Sequence, residues 1–214
     1  MIPSAPDKKE PQQIAPTWEF RRAQSEDYSA ILKLQAANYV GNLAEAERKD
    51  GFLSAEFTRD QVVEMSQDLG IMVAIDSGTL AGYLCAFRND FSHGSLVLSK
   101  MFESYGRVRF EGKSLDSYSS YVYGPVCIAR DYRRRGLLRG LYEAQKEDLA
   151  GLFEVGVAFV SRNNPHSLNA HIAGLGMTEA GEFELKGNAY VILVFPLPPS
   201  LCDPSAARPP PRRD

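Results

Sequence analysis

Hydrophobic and polar positions along the chain follow two different periods, which predict a mixture of strands and helices. Apolar, β-branched runs flank the turns at 76–78 and 186–188, so each turn predicts a β-hairpin. Strands are predicted at 18–20, 71–75, 79–87, 121–128, 155–160, 178–185 and 189–195. Helices are predicted from Ser25 through Leu32, at 58–68, at 136–154 and at 167–175, with 95–105 as a candidate helix inside an otherwise unassigned segment, 88–118.

Two capping patterns mark predicted helix starts. Ser25 precedes Glu26 and Asp27, so it is the expected N-cap of the first helix, with acids in the first turn. Thr58 and Gln61 have the spacing of a capping box. The resulting order is β-α-α-β-β-β-α-β-α-β-β, and its central strand–helix–strand unit is expected to be parallel and right-handed.

Length and composition fit one folded domain, expected at 17–197. The chain has 214 residues, 44% of them hydrophobic, and a formal net charge of −3. The ends, 1–16 and 198–214, are rich in proline and polar residues and are expected to be disordered tails. This charge does not favour nucleic acid, and the longest apolar run, 190–195, is too short to span a bilayer.

Cysteine usage predicts a reducing compartment. Cys85, Cys127 and Cys202 are few, odd in number and without metal-ligand spacing, so we expect free thiols and no metal site. No signal-peptide pattern opens the chain, and a cytoplasmic location follows as an expectation.

The chemically most informative stretch is 126–141, where a predicted buried strand runs through a basic loop into the longest predicted helix. Helix N-termini present unpaired N–H groups and a positive dipole end, which attract phosphate. Gly136 would let a ligand approach the backbone, and Arg133, Arg134, Arg135 and Arg139 add positive charge. The stretch has neither the P-loop nor the Rossmann glycine pattern. The alternative is a basic turn that only caps a surface helix.

This stretch resembles the signature [RQ]-x-x-G-x-[GA] of the GNAT superfamily of N-acetyltransferases. Arg133 and Gly136 match it, whereas Leu138 replaces the final Gly or Ala. A second element, N-x-x-[SA]-x-x-x-[YH], matches at Asn164, Ser167 and His171. Gly176-Met177 follows where the family often has Gly-Phe, with one residue more after His171 than is usual.

The resemblance implies an α/β (α+β) fold with a mixed, mostly antiparallel sheet of about seven strands and about four helices. It further implies an enzyme that moves an acetyl group from acetyl-CoA to a primary amine, with a homodimer left open. Residues implied to bind the cofactor are Val126, Cys127, Ile128, Arg133, Arg134, Arg135, Gly136, Leu137, Leu138, Arg139, Asn164 and Ser167. The pyrophosphate is expected on the backbone N–H groups of the arginine loop.

His171 lies where many relatives carry a tyrosine that protonates the leaving thiolate, so it is the expected general acid; the alternative is that it only packs against the sheet. No acid occurs on the strand 119–128, so the amine proton is expected to leave through water held by Ser120, Tyr121 or Tyr123, or the amine arrives neutral. Three further candidates in 88–118, expected to be solvated surface residues, are Asp90, His93 and Glu103.

Cys127 has apolar neighbours and is expected to be an inert buried thiol. The acceptor is expected near Asn38, Tyr39, Asn42, Phe52, Ser54, Phe91 and Phe102, from the family's layout. Two alternatives to acetyl transfer are a module that senses acyl-CoA without turnover, and transfer of a longer acyl or an aminoacyl group.

Overall fold

The computed structural model describes residues 18–91 and 94–199. These include the predicted domain 17–197 except for Thr17, Ser92 and His93. The predicted tails 1–16 and 198–214 lie outside the described residues, apart from positions 198 and 199.

The fold is organised around one large sheet. In chain order the strands are β1 (Glu19–Arg22), β2 (Ile71–Asp76), β3 (Thr79–Phe87), β4 (Arg109–Phe110), β5 (Lys113–Ser114), β6 (Ser120–Ile128), β7 (Val155–Ser161), β8 (Thr178–Leu185) and β9 (Asn188–Pro196). Seven of them form a sheet in the order β1-β2-β3-β6-β7-β9-β8, and β4 pairs with β5 alone. Within the large sheet only β6 and β7 run parallel. The predicted seven-stranded, mostly antiparallel sheet is therefore confirmed.

Six helices flank the sheet within the described residues, against about four expected. They are α1 (Tyr28–Ala36), α2 (Glu45–Arg48), α3 (Arg59–Gln67), α4 (Leu96–Ser104), α5 (Leu137–Asp148) and α6 (Pro165–Asn169). The difference comes from short elements, since α2 has four residues and α6 has five. The candidate helix at 95–105 is present as α4, with Ser95 as its N-cap.

Alternating side chains along each strand supply two separate cores, one on each face of the sheet. On β9, Ile192 and Val194 face the core shared with α1, α3 and α4, whereas Leu193 and Phe195 face the core shared with α5 and α6. Both cores are fully enclosed at these positions, so the sheet is a rigid platform for the loops at its edge.

The second capping prediction is confirmed and the first is wrong. Thr58 Oγ1 accepts the N–H of Gln61, and Gln61 Oε1 accepts the N–H of Thr58 at 2.9 Å. In contrast, Asp27 rather than Ser25 is the N-cap residue of α1. The Asp27 carboxylate binds the Arg21 guanidinium and the N–H of Gln24, which shapes a turn where the helix was expected to start.

The predicted helix 136–154 is too long, because α5 ends at Asp148. Gly151 has φ +76°, a left-handed conformation that a continuing helix does not allow. Leu149 is buried at the cap, but Leu152 is 59% exposed and therefore does not belong to the apolar face. The prediction extended the helix across this turn because it relied on the spacing of apolar residues alone.

The predicted helix 167–175 begins two residues earlier and changes type along its length. Asn164 caps α6, and the five residues Ala170–Gly174 continue as a π-helix. A π-turn holds one residue more than an α-turn. The extra residue between His171 and Gly176 is therefore accommodated within the helix.

Candidate functional site

A cleft opens between β6 and β7 because the two strands separate. They pair only where Ser120–Val122 lies beside Val155–Val157. Beyond that point β7 follows β9, and β6 follows β3. A bulge at Gly124 and Pro125, opposite Cys85 alone, interrupts the regular pairing of β6 with β3 beside the cleft.

The backbone of β6 presents alternate residues to this cleft. The N–H of Ala129 donates to Ala81 of β3 at 2.9 Å, so Cys127, two residues earlier, also directs its backbone toward β3. Val126 and Ile128 consequently direct theirs toward the cleft. Three residues of β6 were expected to offer backbone groups to the cofactor. The backbone groups of two of them, Val126 and Ile128, are directed toward the cleft.

Two cavities meet in the cleft. The first has a volume of about 390 Å³ and lies between the end of β6, the start of α5 and α6. The second has a volume of about 340 Å³ and lies between β6, β7, the start of α4 and the loop before α3. Six residues line both: Phe52, Leu53, Val126, Asn164, Ser167 and His171. The two cavities are therefore adjacent along this shared set of residues.

The first cavity contains the predicted phosphate cradle. Gly136 precedes α5 with φ +87°, and a Cβ added there would meet nothing within 4 Å. Arg134 is also left-handed, with φ +61°. The N–H groups of Leu137, Leu138 and Arg139 form the first turn of α5, where no intrahelical acceptor exists. An open backbone and three such donors make an anion-binding geometry.

Three of the four arginines of the loop are engaged elsewhere. Arg133 donates to the carbonyl of Ile128 at 3.2 Å, to the carbonyl of Asp50 at 3.1 Å and to Asn38 Oδ1 at 2.6 Å. Arg139 donates to the carbonyl of Gly174. Only Arg134 both lines the cavity and makes no hydrogen bond or ion pair within the described part of the chain.

Arg135 departs from the expectation that its side chain helps to hold a cofactor. Its guanidinium lies over the rings of Trp18 and Tyr132, 5.7 and 5.4 Å from their centroids. It does not line the cavity. Cation–π contact therefore fixes this side chain on the outside of the loop.

Residues 50–53 cross the cleft and are called the strap. Arg133 holds the strap from the β6 side through the carbonyl of Asp50. From the β7 side, Asn164 Nδ2 donates to the carbonyl of Phe52 at 3.1 Å. Asn164 Oδ1 also accepts the N–H of Ser167 at 3.2 Å, so the side chain is buried and its polar atoms are used. Asn164 therefore lines the cavities, while the polar atoms of its side chain bind the protein itself.

His171 lies between the two cavities and is 4% exposed. Its Nδ1 is 2.7 Å from the carbonyl oxygen of Ser167, which only a protonated Nδ1 can bind. Burial lowers the pKa of His171 below its usual 6.5, although this hydrogen bond opposes the shift. At neutral pH the imidazole is consequently neutral, and Nε2 carries a lone pair rather than a proton.

The two tyrosine candidates have different surroundings. Tyr123 lines the second cavity, its ring is edge-on to His171 with centroids 5.6 Å apart, and its hydroxyl has no partner among the described residues. Tyr121 instead donates to Gln145 Oε1 at 3.1 Å and lines neither cavity. The Tyr121 side chain therefore lies in the core beneath α5 and away from both cavities.

Cys127 lines the first cavity, but burial raises the pKa of its thiol to about 12. The residue is thus an unreactive thiol at neutral pH, as its apolar neighbours indicate. Asp90 and Glu103 are exposed and outside both cavities, and Glu103 pairs with Lys100. The third candidate of that segment, His93, lies outside the described residues.

The expected acceptor residues are brought together in part. Phe52, Ser54 and Phe91 line the second cavity, and Asn38 lines the first. Three others, Tyr39, Asn42 and Phe102, line neither.

Glu56 was missed by sequence reasoning, although it is the only charged residue among the described residues lining the second cavity. It lies two residues before the Thr58 capping box, a signal that places it at the entrance to α3. No sequence pattern indicates that this entrance faces β6.

Two further observations bear on the site. Among residues 18–91 and 94–199, no helix has the length and apolarity needed to cross a bilayer. Within the same ranges, no group of three or more His, Cys, Asp or Glu side chains is arranged to hold a metal ion.

Comparison with known proteins gives matches at the level of structure. No protein-family model and no curated sequence matches the chain. A GNAT-family acetyltransferase from Streptococcus agalactiae is 18% identical, with a TM-score of 0.58 over 86% of this chain and 96% of that one. The ribosomal-protein-S18-alanine N-acetyltransferase of Escherichia coli is 12% identical, with a TM-score of 0.55 over 86% and 96%.

A third structure, of the protein yncA from Salmonella typhimurium with its cofactor acetyl-CoA, is 16% identical. Its TM-score is 0.51 over 86% of this chain and 99% of that one, and its assignment as an acetyltransferase is itself provisional. The chain therefore has the fold of the GNAT acetyltransferases.

Proposed function

We propose that this chain, which has the GNAT acetyltransferase fold, transfers an acetyl group from acetyl-CoA to a primary amine. The single observation that carries the proposal is the junction of two cavities at His171 and Val126, one below a phosphate cradle and one apolar. Two substrates bound in these cavities would meet at their reacting ends. Such positioning supplies much of the rate of a bimolecular transfer.

Several features of the first cavity support acetyl-CoA as the donor. Its pyrophosphate would lie at Gly136 and the first turn of α5, where backbone N–H groups and the Arg134 guanidinium are available. The pantetheine arm would follow the cleft, with Val126 and Ile128 as backbone partners. Leu138, which replaces the final Gly or Ala of the signature, contributes its N–H to the first turn of α5 and also lines the cavity.

The reaction needs one bond formed and one broken. The amine nitrogen attacks the thioester carbonyl carbon, the C–N bond forms, and the C–S bond breaks with the electron pair going to sulfur. The nitrogen must lose a proton and the thiolate must gain one. A backbone N–H at the end of β6 is suited to stabilise the oxyanion.

The position of His171 between the two cavities supports a role in moving that proton in both directions. Its Nε2 accepts the proton from nitrogen, since Nδ1–H is held by the Ser167 carbonyl. The resulting imidazolium then returns the proton to the thiolate. The sequence predicted that His171 acts as a general acid. In this proposal the neutral ring first acts as a base, and its acid role is the second of two proton transfers.

Tyr123 complements His171 as a hydrogen-bond donor. Burial raises the pKa of its phenol, so the group keeps its proton through the reaction. Its O–H has no partner among the described residues but is enclosed by the protein, so binding the thiolate or the attacking nitrogen requires a side-chain rearrangement.

The experiment is a free-thiol assay with acetyl-CoA and an amine library, comparing the parent with His171→Phe. We expect amine-dependent thiol release, reduced about 10²- to 10⁴-fold in the variant while acetyl-CoA binding is kept. Acetyl-CoA binding without thiol release for any amine would favour an acyl-CoA-sensing module instead. Activity only with longer acyl or aminoacyl donors would instead favour an enzyme that transfers those groups rather than acetyl.

A further inference from the structure

We propose that the second cavity selects an acceptor amine with a compact apolar or aromatic body and no negative charge. This inference rests on the proposed acetyl transfer and names the substrate class of the same site. It is carried by three observations about the cavity wall: its apolar side chains, the internal use of its polar groups, and its single carboxylate.

Aromatic and aliphatic side chains form most of the wall. Phe57, Phe87, Phe91 and Phe159 line it together with Leu98. A cavity of about 340 Å³ is near the lower end of the range of roughly 300–1,000 Å³ typical of small-molecule sites. The space therefore suits a single-ring body rather than a folded protein surface.

Most polar side chains of the wall already bind the protein itself. Gln61 Oε1 accepts the N–H of Thr58, Ser95 Oγ accepts the N–H of Leu98, and Ser161 Oγ accepts the N–H of Asn163. Asn164 is used at both polar atoms, as described above. The cited bonds use acceptor atoms and leave the donors of Gln61, Ser95 and Ser161, so an acceptor molecule rich in N–H and O–H groups would bury donors that have few partners, which is costly.

Among the described residues that line this cavity, Tyr123 is the one with a buried side-chain polar atom that has no hydrogen-bond partner, and its ring lies edge-on to His171. The wall therefore suits an acceptor that has one polar atom at its reacting end and is apolar elsewhere. An amine on a hydrophobic body has that distribution of polarity.

Glu56 sets the charge preference. No Lys or Arg occurs among the described residues of this wall, so a carboxylate on the acceptor would face the Glu56 carboxylate without compensation. Repulsion then acts against anionic acceptors, at a strength that solvent reduces because Glu56 is exposed. A neutral or cationic body meets no such penalty.

The test compares acceptors matched in size, at saturating acetyl-CoA. Phenylethylamine and phenylalanine differ by one carboxylate, and the third acceptor, spermidine, is a polar polyamine. We expect kcat/KM for phenylethylamine to exceed that for either of the others by at least about tenfold. Glu56→Gln should raise kcat/KM for phenylalanine several-fold and leave phenylethylamine nearly unchanged, whereas the control Glu103→Gln, outside the cavity, should change neither.

Binding of each amine to the CoA-saturated protein, measured calorimetrically, gives a readout that does not require turnover. Efficient acetylation of spermidine or of a peptide N-terminus, with phenylethylamine neither bound nor acetylated, would overturn this inference and leave acetyl transfer intact. Absence of acetylation for every amine, with acetyl-CoA bound, would overturn both.

Discussion

Asn164 of the β7–α6 loop donates a hydrogen bond from its side-chain amide to the backbone carbonyl of Phe52, 112 residues away in sequence. The bond closes the strap over the cleft from one side, and Arg133 closes it from the other. Both residues belong to the motifs that carry the family resemblance. In this chain, their side chains shape the cleft rather than reach into it.

The first prediction concerns Arg133. Arg133→Lys keeps the charge but cannot reproduce the three guanidinium bonds to Ile128, Asp50 and Asn38. We expect a loss of roughly 1–3 kcal/mol in the free energy of unfolding, measured with urea, and weaker acetyl-CoA binding because the strap is released.

Arg135→Lys is the matched control for that change. Its guanidinium lies outside the cavity, over aromatic rings, and a lysine retains part of this contact. Stability and binding should both remain close to those of the parent. Equal effects of the two substitutions would mean that Arg133 acts only through charge.

The second prediction separates strain from charge at Gly136. Because φ is +87°, any side chain strains the backbone, and Gly136→Ala should cost about 1–2 kcal/mol of stability. The alanine Cβ meets no protein atom within 4 Å but enters the space assigned to the pyrophosphate, so acetyl-CoA should bind more weakly than to the parent. Gly136→Glu adds a carboxylate to the cradle and should abolish binding, measured calorimetrically on folded protein. Unchanged binding by this variant would place the pyrophosphate elsewhere.

The third prediction is a pH dependence from His171. Burial lowers its pKa in the folded protein below 6.5, so the unfolded chain protonates first as the pH falls. The free energy of unfolding should therefore decrease below about pH 6.5 and level off below the folded pKa. His171→Phe should lack this decrease, measured by urea unfolding between pH 5 and about pH 8.

The same residue predicts the acid limb of the rate profile. As a base, His171 must be neutral, so kcat should fall with a midpoint below 6.5. The acceptor for this measurement should be an aromatic amine. It stays neutral throughout the pH range, so its own protonation does not change the rate. A kcat that instead rises on acidification would show that the protonated ring is the form required.

The fourth prediction pairs the two tyrosines of β6. Tyr123→Phe removes a buried hydroxyl that has no partner, so stability should be unchanged or slightly higher while turnover falls. Tyr121→Phe removes a bond to Gln145 and should cost about 1 kcal/mol of stability with turnover unchanged. Thermal unfolding and thiol release on both variants test the assignment, and the reverse pattern would contradict it.

The sequence was a good guide wherever a local pattern determines the structure. The Thr58 capping box, both hairpins and the strand–loop–helix around Gly136 are defined by a few neighbouring residues, and all are present. The mixed sheet of the GNAT fold followed from the resemblance and is confirmed. The length of α5 was overestimated because Leu149 and Leu152 keep helical spacing after the helix has ended.

What the sequence did not predict depends on contacts between distant segments. The strap meets Arg133 and Asn164 only in the folded chain, and Glu56 reaches the second cavity only because the loop before α3 packs near β6. Likewise, Tyr121 and Tyr123 both alternate onto the same face of β6. They differ in their neighbours, because Tyr121 contacts Gln145 whereas Tyr123 contacts His171.

Transfer of an isotopically labelled acetyl group from acetyl-CoA to phenylethylamine tests the central claim most directly, with product and free CoA counted by mass spectrometry. The account predicts N-acetylated amine and free CoA in equal amounts, with neither formed by Gly136→Glu. Free CoA accompanied by labelled acetate instead of amide, or no CoA release from any amine by protein that binds acetyl-CoA, would contradict it.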